Sequence, residues 1–272
     1  MDKKHKILFG LWILILVLHL IAIILVPGIP KAETVQQTMK DAVLHETNHV
    51  RVFGMEVNPG LVSAFCVTGI LLAAALLIRI FAVPRFREQP GRLQMLLESL
   101  IDFFNGMART NSPDHPHFIS VYIFAAGLYI FVGTCFELFG IQVVSTEGIS
   151  IALPAPLSDI NGSISMGVMS YCVILGGGII INRLRGAGNA LKEFSLPISM
   201  SFRLFGALLS GLLVTELVYY TIGLSFVLPV VVGVMFTLLH ALIQTYVLTM
   251  LTSVFFGEVT EKHHSKGGKS NE

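Results

Sequence analysis

Six long apolar runs divide the chain: Ile7–Val26, Leu61–Val83, Phe118–Gly140, Ser163–Ile181, Leu196–Tyr220 and Leu228–Gly257. A helix rises about 1.5 Å per residue, so roughly 20 apolar residues cross the hydrocarbon layer of a bilayer. Each run has that length. The pattern predicts an all-α integral membrane protein of about six membrane helices, the last two forming a long C-terminal hairpin. One segment differs in kind. In Pro90–Arg109 the residues Leu93, Leu96, Leu97, Leu100, Ile101, Phe103, Phe104 and Met107 recur at helical spacing, with Gln94, Glu98 and Asp102 on the other side. This is an amphipathic helix, suited either to a membrane interface or to packing on a neighbouring helix. Ser112-Pro113-Asp114 ends it.

The charged residues support the same picture. The chain has 272 residues, 54% hydrophobic and 13% charged, where a soluble domain carries about 25% charged residues. Lys3, Lys4 and Lys6 precede the first run, Arg85, Arg87, Arg92 and Arg109 follow the second, and Arg183, Arg185 and Lys192 follow the fourth. Lys262, Lys266 and Lys269 follow the last, whereas residues 141–162 and 221–227 hold no Lys or Arg. By the positive-inside rule both termini are cytoplasmic and 27–60 is external. Residues 1–32 read either as a retained anchor or as a signal-like span cleaved near Pro30-Lys31-Ala32. Residues 33–60 form an external segment, 61–257 the membrane domain, and 258–272 a polar, disordered tail. The net charge of +1 gives no indication of nucleic acid. Cys66, Cys135 and Cys172 all fall within apolar runs and read as small buried hydrophobes.

Ionisable groups inside spanning helices cost roughly 2.5–3.5 kcal/mol each on insertion scales and mark functional positions. Arg79 and Glu137 lie near helix ends and can snorkel. Arg203, Glu216 and His240 do not. Arg203 is flanked at i−4, i+3, i+4 and i+7 by Ser199, Gly206, Ala207 and Ser210, all small. An arginine keeps its proton at physiological pH, so this is a permanent cation on a face that admits close approach of another helix. Glu216 is 13 residues further along, about 20 Å in a straight helix, and lies on nearly the opposite side. Gly233, Thr237, His240 and Gln244 form a polar stripe along the last run, facing the bundle interior or a water path.

One motif points elsewhere. His45-Glu46-Thr47-Asn48-His49 matches the H-E-x-x-H pattern of zinc proteases. That chemistry needs both histidines on one helical face and a third ligand, for which Glu56 is the nearby candidate. The motif stands in a short external segment with no domain of its own to form a cleft. A membrane metalloprotease is therefore the weakest of three readings, and no metal or other cofactor is expected. A stand-alone polytopic ion transporter is the second.

The first reading rests on a resemblance. Ser201-Phe202-Arg203-Leu204-Phe205-Gly206 resembles the S-x-R-L-F-G-N signature of subunit a of F-type ATP synthases. The last run, with Gln244 in LIQTYVLTMLTSVFFG, is similar to that family's closing helix. PGRLQMLLESLIDFFNG resembles its cytoplasmic amphipathic segment, and PLSDINGSISMG its approach to the fourth span. The likeness covers most of residues 40–260. It implies an ion-translocating stator in a bacterial inner membrane. Such a protein is not catalytic by itself and works with a c-subunit ring, a b-type stator stalk and the rest of the synthase. In the family the tilt of the last two helices brings the arginine near mid-membrane. Two offset half-channels lead to the ring carboxylates, and the arginine attracts each bare carboxylate and blocks leakage between the channels. The resemblance gives Arg203 that role with Gln244 beside it. Asp159 and Asn161 match inlet residues, Glu193 is a candidate at the exit, and Glu216 and His240 are candidates for an inlet displaced by one turn. Ala207 replaces the usual Asn, and Leu212 stands where many members carry an acid. The coupling ion, proton or sodium, depends on the ring carboxylate of another chain.

Overall fold

The computed structural model describes residues 50–261 except 53, 145, 147, 149 and 221–227, together with a few helical residues between Gly10 and Ile21. For Val52, Leu184, Leu212, Thr215, Glu216, Tyr219, Tyr220, 228–230 and Val232 the backbone alone is described. Most of the first apolar run, the H-E-x-x-H motif at 45–49, the turn near Gly223 and the tail beyond Glu261 lie outside the described residues.

Two short strands, β1 (Val50–Val52) and β2 (Met55–Val57), pair antiparallel around Gly54. Asn58 then starts helix α1 (Pro59–Leu77): its side-chain oxygen accepts the Gly60 N–H at 2.8 Å, and Pro59 fills the first turn, where its missing N–H costs nothing. A π turn at Ile78–Ala82 and a 3-10 turn at Val83–Arg85 extend α1. The amphipathic segment is α2 (Arg92–Asn111), and α3 (Pro116–Phe136) follows it directly. Strands β3 (Gln142–Val144) and β4 (Ser150–Ala152) form a second hairpin. Three long helices complete the chain: α4 (Ile160–Lys192), α5 (Ser195–Tyr220) and α6 (Leu228–Thr260).

Four helical spans among the described residues are long and apolar enough to cross a bilayer: Pro59–Arg85, Pro116–Phe139, Ile160–Arg183 and Gly233–Thr260. A fifth is formed if Arg185–Lys192 and Ser195–Gly211, bent by 45°, count as one span. The protein is thus an all-α multi-pass membrane protein.

Glycines set how closely these helices approach. A lipid-facing helix gains little hydrophobic energy by association, so small residues and dense contact hold the bundle together. A Cβ on Gly127 of α3 would lie 2.7 Å from the ring of Phe104 of α2. Gly177 of α4 lies under the ring of Phe256, and Gly257 of α6 abuts the last carbonyl of α2, at Asn111. Phe104 in turn meets Phe124 edge-on, with ring centroids 5.6 Å apart. The result is a core of α2, α3, α4, α5 and α6 in which Ile119, Ile123, Ile130, Ile174, Met200, Leu204 and Phe256 are buried. Tyr122 and Ser170 join α3 to α4 through a 2.8 Å hydroxyl pair.

Two expectations are corrected. The three cysteines are not all buried: Cys66 and Cys172 are exposed and Cys135 partly so. They stand on outward helix faces, where an apolar thiol suits a hydrocarbon surroundings as well as a core would. The basic stretch after Ile181, taken as a gap between spans, is helical to Lys192. It does not continue the fourth span in a straight line. Arg183 has φ 52° and ψ −132°, and is the non-glycine residue with positive φ among the described residues. Beyond it the chain runs back: the Tyr171 hydroxyl donates to the Ala190 carbonyl at 3.1 Å. In a straight helix those residues would be about 28 Å apart. Gly178 and Gly186 meet backbone to backbone across the reversal. A Cβ at Gly186 would strike the Gly178 carbonyl, whereas one at Gly188 has open space.

Gly186→Ala should therefore destabilise the detergent-solubilised chain by about 1–3 kcal/mol through overpacking, read as a lower midpoint of thermal unfolding. Gly188→Ala, in the same arm, should be neutral or slightly stabilising. Equal effects would remove the close approach as the cause.

Candidate functional site

The helix reversal decides where Arg203 lies. After running back to the level of Tyr171, the chain bends at Glu193 and enters α5. Gly167 of α4 then lies against Pro197 and Ser201 of α5: a Cβ there would be 2.8 Å from the Pro197 carbonyl oxygen. Ser201 is seven residues' worth of helix from Ile160 in level, about 10 Å along the span. Arg203, two residues on, is thus carried inside the length of the fourth span rather than at its end.

The two faces of α5 differ in composition. Leu196, Met200, Leu204 and Leu208 recur every four residues and are buried against the bundle. Ser199, Phe202, Arg203, Gly206 and Ser210 are exposed, and Ala207 is partly so. The small residues around Arg203 therefore border an open strip on the outside of the chain. No neighbour within the described chain fills it: a Cβ on Gly206 would meet nothing within 4 Å. The Ser210 hydroxyl turns back to the Ala207 carbonyl at 2.8 Å, and Ser201 does the same to Pro197 at 2.6 Å.

Helix α6 packs on α5, α4 and α3. Gln244 lies on its buried side, 6% exposed, and its Oε1 atom has no hydrogen-bond partner. A buried amide oxygen left unpaired costs about 1–3 kcal/mol, and no group among the described residues offsets that cost at Gln244. Next to it, Thr245 reaches the Gly127 carbonyl at 3.5 Å. Along the expected stripe, Gly233, Thr237 and His240 are partly buried. His240 stacks on Phe236 with ring centroids 5.8 Å apart, and its Nδ1 pairs with the Phe236 carbonyl at 2.7 Å. Glu216 is placed on α5 by its backbone; its side chain lies outside the described residues.

The three remaining candidates stand apart from this strip. Asp159 is the N-cap of α4: its side chain accepts the Asn161 N–H at 2.6 Å. Its second oxygen accepts from the Asn58 amide, the N-cap of α1. The caps of two helices are thereby clasped side by side, and the carboxylate sits where both helix dipoles favour negative charge. Gly60 makes this possible, because a Cβ there would lie 2.9 Å from Asp159 Cβ. Asn161 itself is exposed and uses its backbone N–H in the cap. Glu193 caps the C-terminus of α4 at the 45° bend and is partly buried. Asn58 was missed by sequence reasoning. Its signal was present in Asn58-Pro59-Gly60, a capping residue before a proline and a glycine, but its partner is 101 residues away.

Asp159→Ala should lower stability by about 1–3 kcal/mol, from the lost cap and the orphaned Asn58 amide. Thermal unfolding of Asp159→Ala, Asn58→Ala and the double variant tests this. Additive losses would show that the two caps act separately.

Across most of this structure the sequence also matches a defined family. The family model described as the ATP synthase A chain matches residues 64–257. The match spans α1 from its second turn into the last turn of α6, and so includes Asp159, Glu193, Arg203, Glu216, His240 and Gln244. It covers well over half of the 272 residues. The chain belongs to the ATP synthase subunit a family, the ion-translocating component of the membrane sector of the ATP synthase complex.

Proposed function

We propose that Arg203 is the fixed cation past which the carboxylates of a c-subunit ring travel, and that it separates two half-channels reaching those carboxylates from opposite sides. The observation that carries this reading is the open strip on α5. A permanent charge there is bordered by Ser199, Gly206 and Ser210 and faces out of the chain. An exposed guanidinium within an apolar span is costly against lipid. Opposite a carboxylate it becomes favourable, because a nearby cation stabilises the ionised acid in low dielectric. The same charge repels a free cation, so an ion cannot pass directly from one channel to the other.

Gln244 complements it with an unpaired amide oxygen on the adjoining helix. We assign it to orienting the guanidinium or a water beside it. Glu216 and His240 serve the inlet. Asn161 lines its mouth next to the Asn58–Asp159 clasp, with Asp159 acting chiefly as the cap that shapes that mouth. Glu193 belongs to the exit. The distribution of basic residues favours both termini on the cytoplasmic side, and we assign the chain to a bacterial inner membrane. A b-type stalk holds the chain against the torque of the ring.

Arg203→Ala should abolish ion-driven ATP synthesis in membrane vesicles while the complex still assembles, judged by co-purification of the ring and stalk. Normal synthesis in that variant would sink the proposal. Glu216→Gln should slow ion access less severely and change the pH dependence of synthesis. An unaltered pH profile takes Glu216 out of the path. Purified chain that transports ions without a ring would contradict the stator role altogether.

A further inference from the structure

A cluster of cations away from the Arg203 strip lies where α1 gives way to α2. Arg79, Arg85, Arg87 and Arg92 fall between residues 79 and 92, and all four side chains are exposed. None of them forms an ion pair among the described residues. Two acids stand nearby, Glu88 in the connecting loop and Glu98 on α2, and Glu98 is engaged by the Gln94 amide at 2.8 Å. The elbow therefore presents an excess of positive charge.

Length fixes the depth of these residues. The span Pro59–Arg85 has 27 residues, about 40 Å of helix, whereas the hydrocarbon layer is about 30 Å thick. Counted from Pro59, the layer ends near Arg79. Arg85, Arg87 and Arg92 then stand in the headgroup region, at the level of lipid phosphates. Local structure holds them together there. Gln94 grips the Arg87 backbone at two points: its Oε1 accepts the Arg87 N–H at 3.1 Å and its Nε2 donates to the Arg87 carbonyl at 3.0 Å. The loop is thus folded against the first turn of α2, which carries Arg92. Arg85 is two residues from Arg87, so within about 7 Å of it along the chain. Below the arginines α1 offers bare apolar surface. Of its most apolar stretch 11% is buried within the chain, against 44% for the α3 span, and Leu77, Ile80 and Phe81 are exposed.

We propose that the α1–α2 elbow binds an anionic phospholipid, with Arg85, Arg87 and Arg92 around its phosphate, Arg79 at the glycerol level and its acyl chains along Leu77, Ile80 and Phe81. The guanidinium fork matches phosphate oxygens two at a time. Juxtamembrane basic clusters attract anionic lipids, and here the Gln94 clamp adds a fixed arrangement to that attraction. Charge, depth and the apolar face below it together favour a lipid over an acidic protein segment, which would leave the face unused. The site is independent of the Arg203 pathway.

The full-length chain in mild detergent, titrated with phosphatidylglycerol or phosphatidylcholine and read by native mass spectrometry, tests this. About one phosphatidylglycerol should be retained with an affinity about tenfold or more above that of phosphatidylcholine. Arg85→Gln/Arg87→Gln/Arg92→Gln should abolish the preference, whereas Arg109→Gln should leave it intact. Gln94→Ala, which keeps every charge, should weaken it by a smaller factor. Equal affinity for the two lipids overturns the proposal, as does an unchanged preference in the triple variant. Unchanged binding in Gln94→Ala also overturns it, because the attraction would then be diffuse. Displacement of the lipid by inorganic phosphate at equal concentration would reveal a soluble-anion site and overturn it too. So would loss of the stalk from the triple-variant complex with phosphatidylglycerol affinity unaltered, since an acidic protein would then be the occupant. If the triple variant fails to fold, Arg87→Gln and Gln94→Ala decide by the same readout.

Discussion

Within a bilayer no water is available to a stray backbone amide or carbonyl, and the whole structure depends on that constraint. Helices satisfy it within a single segment, so every long apolar run of the described chain is helical. Helix formation then leaves little hydrophobic energy to drive association, and contact distance becomes decisive. Glycine supplies it where Phe104 covers Gly127, where Phe256 covers Gly177, and where the end of α2 rests on Gly257. The backbone contact of Gly178 with Gly186 has the widest consequence. It permits the chain to turn back beside the fourth span, and that reversal brings α5, with Arg203, alongside the span instead of beyond it.

Three polar places stand out among the described residues. At one end, two helix N-termini share the Asp159 carboxylate through Asn58. At the other, two helix C-termini and three acids enclose a cavity. Between them lies the strip around Arg203, where a full charge faces outward from a helix whose opposite side is a buried leucine and methionine ridge. The strip lies within the part of the chain that matches the ATP synthase subunit a family, and it is the ground on which we propose a role for Arg203. The N-cap geometry of Asp159 is informative in the same way. A carboxylate accepting from two donors is well suited to fixing two helix ends side by side.

Much of this was legible beforehand. Run length identified the four or five spans seen among the described residues, the first run lying mostly outside them, and helical spacing identified α2 within two residues of its observed bounds at Arg92 and Asn111. Small neighbours marked one face around Arg203, because side chains three, four and seven residues apart share one side of a helix, and that face is open within the described chain. The α4 reversal was not legible. Residues 182–192 have ordinary helical composition, and a helix that runs on reads like one that folds back. The outward cysteines were missed for a related reason: in a membrane chain apolar character signals removal from water and does not distinguish core from lipid.

The sequence alone therefore determined which segments are helices, which charges stand inside them and which family the pattern resembles, since these follow from local periodicity and from the cost of placing ions in hydrocarbon. Only the tertiary structure decided which side of each helix is covered. It joined Asn58 to Asp159 across 101 residues, left the Gln244 and Ser112 side chains with unpaired oxygens, and opened the strip beside Arg203. Those outcomes depend on contacts between segments far apart in the chain, and on where a glycine lets two backbones touch, which no local pattern specifies.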